Sequence, residues 1–248
     1  MSKFALVTGS SSGLGLEIAR QLVHSGWRVL GCSRSEAAID DSNYKHLSLD
    51  LSKPEDQQEL LSYLESMKDE SFTTIALVNN AGTLGAVASI GSLAIETISE
   101  TYSLNVHLPI MLMNYFLQTW QDKAELRIVN ISSGAAKKFY SGWGLYCSTK
   151  AALRSASYVL AKDIEYQRSR ASHPVGSVGI LVYEPGVLDT PMQEVLRSSS
   201  EDSFAELARF KALHENGELV DPVLPAADVV AQLSSDSMEP FNEMRYST

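Results

Sequence analysis

The sequence predicts an α/β fold, a doubly wound parallel sheet within one domain over residues 1–248. Three observations carry this expectation. Short apolar runs rich in β-formers alternate with longer segments whose apolar residues recur at helical spacing, the pattern of strand–helix–strand crossovers. The runs are near-continuously apolar, as strands covered on both faces must be. A glycine-rich turn joins the first run to the first helical segment, so a helix N-terminus faces the carboxyl edge of the sheet. Together these features describe a Rossmann fold, whose ligands sit at the carboxyl ends of the strands where the strand order reverses.

In chain order, the expected strands are Phe4–Val7, Val29–Leu30, His46–Leu49, Thr74–Val78, Arg127–Ile131 and Val178–Val182. The expected helices are Leu14–Val23, Pro54–Met67, Ile98–Trp120 and Leu145–Ile164. Two stretches lack a clear period. Asp189–Pro222 is polar, and a substrate lid is expected over about residues 187–222. The segment after Ser234 offers only a strand at Phe241–Tyr246.

Composition narrows the function. With 20 Lys+Arg against 30 Asp+Glu the net charge is −10, and no basic cluster stands out, which argues against nucleic acid as a partner. Two cysteines, Cys32 and Cys147, cannot build a disulfide framework and suit a reducing, cytoplasmic setting. The apolar stretch Val106–Trp120 is interrupted by His107, Pro109, Asn114 and Gln118, short of the ~18 residues a membrane span requires, so no membrane partner is expected. The Met1–Val7 start has too few apolar residues for a signal peptide. No histidine pair shows metal-ligand spacing, and no metal is expected.

The turn Thr8-Gly9-Ser10-Ser11-Ser12-Gly13-Leu14-Gly15 suits a pyrophosphate. Its glycines admit close backbone approach, and the following helix offers free N–H groups and positive potential. Gly9, Ser11, Ser12, Gly13, Leu14 and Gly15 are therefore candidate cofactor residues. The same turn also satisfies GxSxG, the nucleophile elbow of a serine hydrolase, with Asp189 and His214 following in the required order. About 20 residues beyond the glycines, where an acid would hold the ribose hydroxyl of NAD, stand Ser33-Arg34-Ser35, which suit the 2′-phosphate of NADPH. Glu36 speaks for NADH.

Tyr146 and Lys150 are spaced i, i+4 in a helical segment and share one face. A phenol must be brought from about 10 toward 7 to exchange protons at neutral pH, and a neighbouring ammonium contributes to that. Tyr140 is a rival phenol, but Gly144 stands where its lysine would be. Upstream, the strand ending at Ile131 delivers Ser132-Ser133-Gly134 to the sheet edge, where one hydroxyl can stabilise charge on a carbonyl oxygen. Adjacent side chains on a strand face opposite ways, so only one of the two serines is expected to face substrate.

Thr8-Gly9 with Gly13 and Gly15, Asn79-Asn80-Ala81-Gly82, Asn105, Ser133, Tyr146 with Lys150, and Pro185-Gly186 with Thr190 together resemble the short-chain dehydrogenase/reductase superfamily over nearly the whole chain. The resemblance implies that Tyr146 donates the proton in reduction, that Lys150 lowers its pKa and holds the nicotinamide ribose, and that Ser133 polarises the carbonyl. It implies that Asn105 anchors a water linking Lys150 to solvent. It places Asn79, Ala81 and Gly82 along the adenosine and ribose, Asp50 and Leu51 at the adenine, and Pro185, Gly186, Val187 and Thr190 at the carboxamide. A homo-oligomer, dimer or tetramer, is expected through the segments Ile98–Trp120 and Leu145–Ile164.

Within the superfamily, Asn79–Gly85, Gly142–Cys147, Glu184–Gln193 and Gly217–Val220 look closer to sepiapterin reductases and to benzil reductases, which act on vicinal dicarbonyls. Ser132–Lys138 and Arg197–Ser200 lean to the benzil side. The absence of any aspartate between Ser237 and Thr248, where sepiapterin reductases hold the pterin, leans the same way. The expected activity is NADPH-dependent reduction of a small dicarbonyl, with Leu84, Ala135, Trp143 and Met192 as the apolar wall. Pterin reduction, a serine hydrolase and a non-catalytic NADP-binding regulator are the alternatives.

Overall fold

A computed structural model describes residues 2–171 and 176–247, so Met1 and Thr248 of the terminal segments discussed above lie outside the described residues. The strands are β1 (Lys3–Thr8), β2 (Arg28–Ser33), β3 (Tyr44–Ser48), β4 (Thr74–Asn79), β5 (Glu125–Ile131), β6 (Val178–Glu184) and β7 (Asn242–Arg245). They form one parallel sheet in the order β3-β2-β1-β4-β5-β6-β7. The order reverses between β1 and β4, and that is where the crevice of a doubly wound sheet opens. β4 and β6 are buried along their whole length, as their unbroken apolar runs require.

The helices are α1 (Gly13–His24), α2 (Pro54–Ser66), α3 (Ile95–Tyr102), α4 (Leu108–Trp120), α5 (Gly144–Arg170), α6 (Pro191–Arg197), α7 (Leu207–Glu215) and α8 (Val223–Ser234). One face of the sheet is covered by α2, α4 and α5, through Leu60, Leu64, Leu112, Phe116 and Leu153. The other is covered by α1 and α8, through Ile18, Leu22, Ala226, Val229 and Leu233. Both cores are apolar, with aromatics among the aliphatic side chains (Phe116 and Trp120 in the first, Trp27 in the second), and they pack the strands from both faces. A third cluster lies outside them: Leu84, Ala135, Trp143, Tyr146, Cys147, Leu196, Phe204, Leu207 and Phe210.

Four expectations are corrected. The stretch Asp189–Pro222 is not without period, since it contains α6 and α7, whose few apolar residues (Leu196, Leu207, Phe210) are enough to pin them on the third cluster. α8 was not expected at all. Its Ala226, Val229, Val230 and Leu233 recur at i, i+3, i+4 and i+7, and Pro225 sits in the first turn, where a missing N–H costs nothing. The helix expected at Ile98–Trp120 starts at Ile95 and passes through a π-helical segment, Ser103–His107, an insertion common beside functional sites. Likewise, α5 runs past Ile164 to Arg170.

Candidate active site

The carboxyl ends of the strands border one cleft of about 750 Å³. Its first end is made by backbone. Gly13, which opens α1, adopts φ +54°, a conformation a side chain rarely tolerates, and a Cβ there would stand 2.9 Å from Thr190 Cγ2. The first turn of α1 carries no acidic residue, and Ser12 leaves it without a side-chain cap, so its N–H groups remain available. Beneath it, Thr8 Oγ1 receives the N–H groups of Asn80 and Ala81, both at 3.0 Å, and Asn80 Nδ2 donates to Thr8 O at 2.9 Å and Gly9 O at 3.1 Å. The turns after β1 and β4 are thereby one unit.

Ser33, Arg34, Asp50 and Leu51 border this end. Arg34 is exposed and makes no ion pair among the described residues. Partial burial works to raise the Asp50 carboxyl, but the hydroxyl and backbone N–H of Ser52, with the Arg34 charge nearby, hold it below its ordinary value. An open helix N-terminus, a turn of glycines and small serines, and an unpaired guanidinium fit a phosphorylated dinucleotide. These residues would hold its pyrophosphate and adenosine end.

At the other end, Ser133, Tyr146 and Lys150 come together from β5's exit and from α5, behind Pro185, Gly186, Val187 and Thr190. Ser133 Oγ accepts from Ala135 N at 3.2 Å, fixing the turn that follows β5. Tyr146 is 9% exposed; burial pushes its phenol above the ordinary value while a hydrogen bond with Ser133 works downward. Lys150 is also buried, which pulls it down to about 8, and its Nζ donates to Ile131 O at 2.8 Å. That ammonium stands 5.8 Å from the Tyr146 ring centroid. No hydrogen bond joins Lys150 to Tyr146 among the described residues; the hydrogen bond that favours the phenolate comes from Ser133.

Of the anticipated site residues, three do not border the cleft. Asn79 is buried in β4 and donates to Asn130 Oδ1 at 2.8 Å; its neighbour Asn80 takes the place at the cleft. Gly15 packs inside the turn, where a Cβ would fall 2.2 Å from Gly9 O and 2.3 Å from Asn80 Nδ2. Asn105, in the π-helical segment, clamps Thr83 through its N–H at 2.9 Å and its carbonyl at 2.8 Å, and donates to Thr149 Oγ1 at 3.0 Å. It still stands behind the site: a Cβ on Gly82 would lie 3.4 Å from Asn105 Oδ1 and 3.6 Å from Lys150 Nζ. Both serines after Ile131 line the cleft, but their hydroxyls differ: Ser133 bonds Tyr146, whereas Ser132 Oγ is fully buried and unpartnered.

Leu84, Ala135, Trp143 and Met192 all border the cleft. Trp143 stacks on Phe204 at 5.0 Å and meets Tyr140, Tyr146 and Phe210 edge-on or tilted at 5.1 to 5.6 Å. Arg209 and Phe210, which sequence reasoning missed, also border it from α7. Leu207 and Phe210, three apart in a polar run, were the available signal. Ser11, Asp189 and His214 share no hydrogen bond among the described residues, and both Asp189 and His214 are exposed, so no hydrolase triad is assembled.

Comparisons with known proteins agree with this layout. The family described as short chain dehydrogenase matches residues 3–201. A benzil reductase ((S)-benzoin forming) of Bacillus subtilis is 32% identical over 230 residues, covering 92% of each chain. A sepiapterin reductase of Mus musculus is 32% identical over 254 residues, covering 94% of this chain and 92% of its own. The crystal structure of a short chain dehydrogenase/reductase from Saccharomyces cerevisiae superposes with a TM-score of 0.81 at 25% identity, covering 100% of this chain and 97% of that one. With the glycine turn, the Ser133–Tyr146–Lys150 set and these matches pointing the same way, the chain belongs to the short-chain dehydrogenase/reductase family of oxidoreductases, which act on C=O and CH–OH groups.

Proposed function

We propose that the chain is an NADPH-dependent reductase of small vicinal dicarbonyls, with Tyr146 as proton donor. One observation carries the reading: a cleft with an anion-accepting helix N-terminus and Arg34 at one end holds Tyr146, Ser133 and Lys150 at the other. The names of the relatives support a carbonyl reductase, and the benzil reductase match points to dicarbonyls.

When bound, the reduced nicotinamide supplies the hydride. Tyr146 gives its proton to the carbonyl oxygen, and Ser133 donates a hydrogen bond to that oxygen as charge gathers on it. Lys150, half-poised by burial, holds the ribose and returns a proton to Tyr146 from the Asn105 side. Arg34 meets the 2′-phosphate and Pro185–Val187 with Thr190 the carboxamide. Trp143, Leu84, Ala135 and Met192, under a lid formed by α6 and α7, exclude water from the reacting carbonyl. Exposed Tyr102, Ile110, Tyr158, Val159 and Tyr166 on α3, α4 and α5 support a dimer or tetramer through that face.

The test is loss of reduced-nicotinamide absorbance with NADPH and, in turn, benzil, a pterin with a side-chain ketone, a quinone and a ketosteroid. Fastest turnover of the diketone is expected. Fastest turnover of the pterin would move the reading to sepiapterin reduction, and no turnover of any would leave a cofactor-binding regulator.

A further inference from the structure

The carbonyl end of the cleft has a charge that the rest of the chain does not share. Glu184 and Arg245 are register partners at the carboxyl edge of β6 and β7, and Lys137 follows the Ser133 turn beside them. Lys137 Nζ takes both local carboxylates, Glu184 at 2.5 Å and Glu243 at 2.9 Å. Arg154 claims Glu243 as well, at 2.7 Å, and Tyr158 donates to it. These partners hold the Glu243 carboxyl down at about 2, so it stays ionised and occupied.

With both acids engaged, Lys138 and Arg245 have no ion pair among the described residues, and both border the cleft. Lys137, Arg154 and Glu243 lie outside the cleft lining, so Lys138 and Arg245 stand at its border against Glu184 alone, in a chain of net charge −10. Arg209, on α7, also borders the cleft. It hydrogen-bonds Tyr140, two residues beyond Lys138, and its nearest acid, Glu206, is 3.5 Å away with both side chains solvated. The cofactor does not account for this charge, because its phosphates fit the opposite end, at Gly13 and Arg34.

The wall beside these cations is aromatic, through Tyr140, Trp143 and Phe210. A ligand that satisfies both is an aromatic group joined to an anion, with the reducible carbonyl between them at Tyr146. We propose that the substrate is an aromatic 2-oxo acid, a vicinal dicarbonyl whose second carbonyl is an ionised carboxylate, and that Arg209, Lys138 and Arg245 recognise that carboxylate. This rests on the reductase reading above. The keto carbon gains a hydride from the reduced nicotinamide and its oxygen gains the Tyr146 proton. A 2-hydroxy acid and an oxidised nicotinamide result, and the carboxylate is unchanged. A planar guanidinium binds a carboxylate in a two-point fork; Arg209, next to Phe210 and bonded to Tyr140 of the aromatic wall, is the principal contact, and Arg245 and Lys138 add a field that draws the anion in.

The experiment compares phenylglyoxylate with its uncharged methyl ester in the wild type and in Arg209→Gln, Lys138→Gln and Arg245→Gln. The acid is expected to have a kcat/KM about tenfold or more above the ester at low salt, and the preference is expected to shrink as salt shortens the screening length below ~10 Å. Arg209→Gln should lower the acid-to-ester ratio about tenfold, mainly through KM for the acid, and the other two severalfold. An ester used as well as the acid, or a ratio indifferent to salt and to all three substitutions, overturns the carboxylate assignment and leaves the reductase reading standing. No turnover of either compound or of any uncharged diketone overturns both. The salt series needs no variant, so a poorly folding protein does not blunt the test.

Discussion

The two ends of the cleft are built in different ways. The cofactor end is backbone: Gly9, Gly13 and Gly15 with the Thr8 and Asn80 bonds, tied directly into the buried ends of β1 and β4. The carbonyl end is side chains: Trp143, Phe204, Phe210 and Met192 from a separate cluster held by two short helices. The first end has almost no freedom to change without breaking the sheet. The second can be repacked while the sheet stays intact, so one fold can present the same hydride chemistry to different carbonyls.

Substitutions at either end should therefore separate binding of cofactor from binding of substrate. Trp143→Ala removes the centre of the aromatic cluster and is expected to cost about 3–5 kcal/mol locally, seen as faster proteolysis between α6 and α7 and a higher KM for carbonyls, with the NADPH Kd much less affected. An equal loss of NADPH affinity would mean the two ends are not independent.

At the seam, Lys150 is buried with a pKa lowered to about 8, so the folded state pays to keep it charged below that pH. The unfolded chain still binds this proton up to ~10.5, and stability from this group rises between the two values. Lys150→Met should therefore raise unfolding free energy most at neutral pH, by up to ~3 kcal/mol less the lost bond to Ile131, with the gain fading toward pH ~10 in denaturant titrations. A gain that grows with pH would contradict the burial argument.

Gly15→Ala forces a Cβ against Gly9 O and Asn80 and should cost about 1–3 kcal/mol, with NADPH binding lost and the carbonyl cluster's near-ultraviolet dichroism retained. Smallest is Arg34→Ala, whose exposed guanidinium should be worth about tenfold in NADPH affinity and almost nothing for NADH. Equal weakening of both would remove the 2′-phosphate role. Titration by nucleotide fluorescence measures all four affinities.

The difference between the ends also decided what could be read from the residues alone. Strand and helix alternation, the glycine turn and the Tyr146–Lys150 spacing were legible because each follows from backbone period or from a φ only glycine accepts. Asn79 was misplaced because adjacent residues at a strand end point to opposite sides, and which of Asn79 and Asn80 turns outward depends on the pleat. The spacing showed that Lys150 shares a face with Tyr146, but not that a strand carbonyl would take its ammonium. α6 and α7 escape a period search because one or two apolar residues per turn suffice once a partner surface exists, and that surface is made by residues distant in the chain; α8 carries a full apolar stripe that the sequence itself displays.

The most direct test of the account is Tyr146→Phe, assayed with NADPH and a vicinal dicarbonyl alongside titration of NADPH. The account predicts that kcat falls by about 10³-fold or more while NADPH still binds, since only the proton donor has been removed. Turnover retained to within a few fold would contradict it.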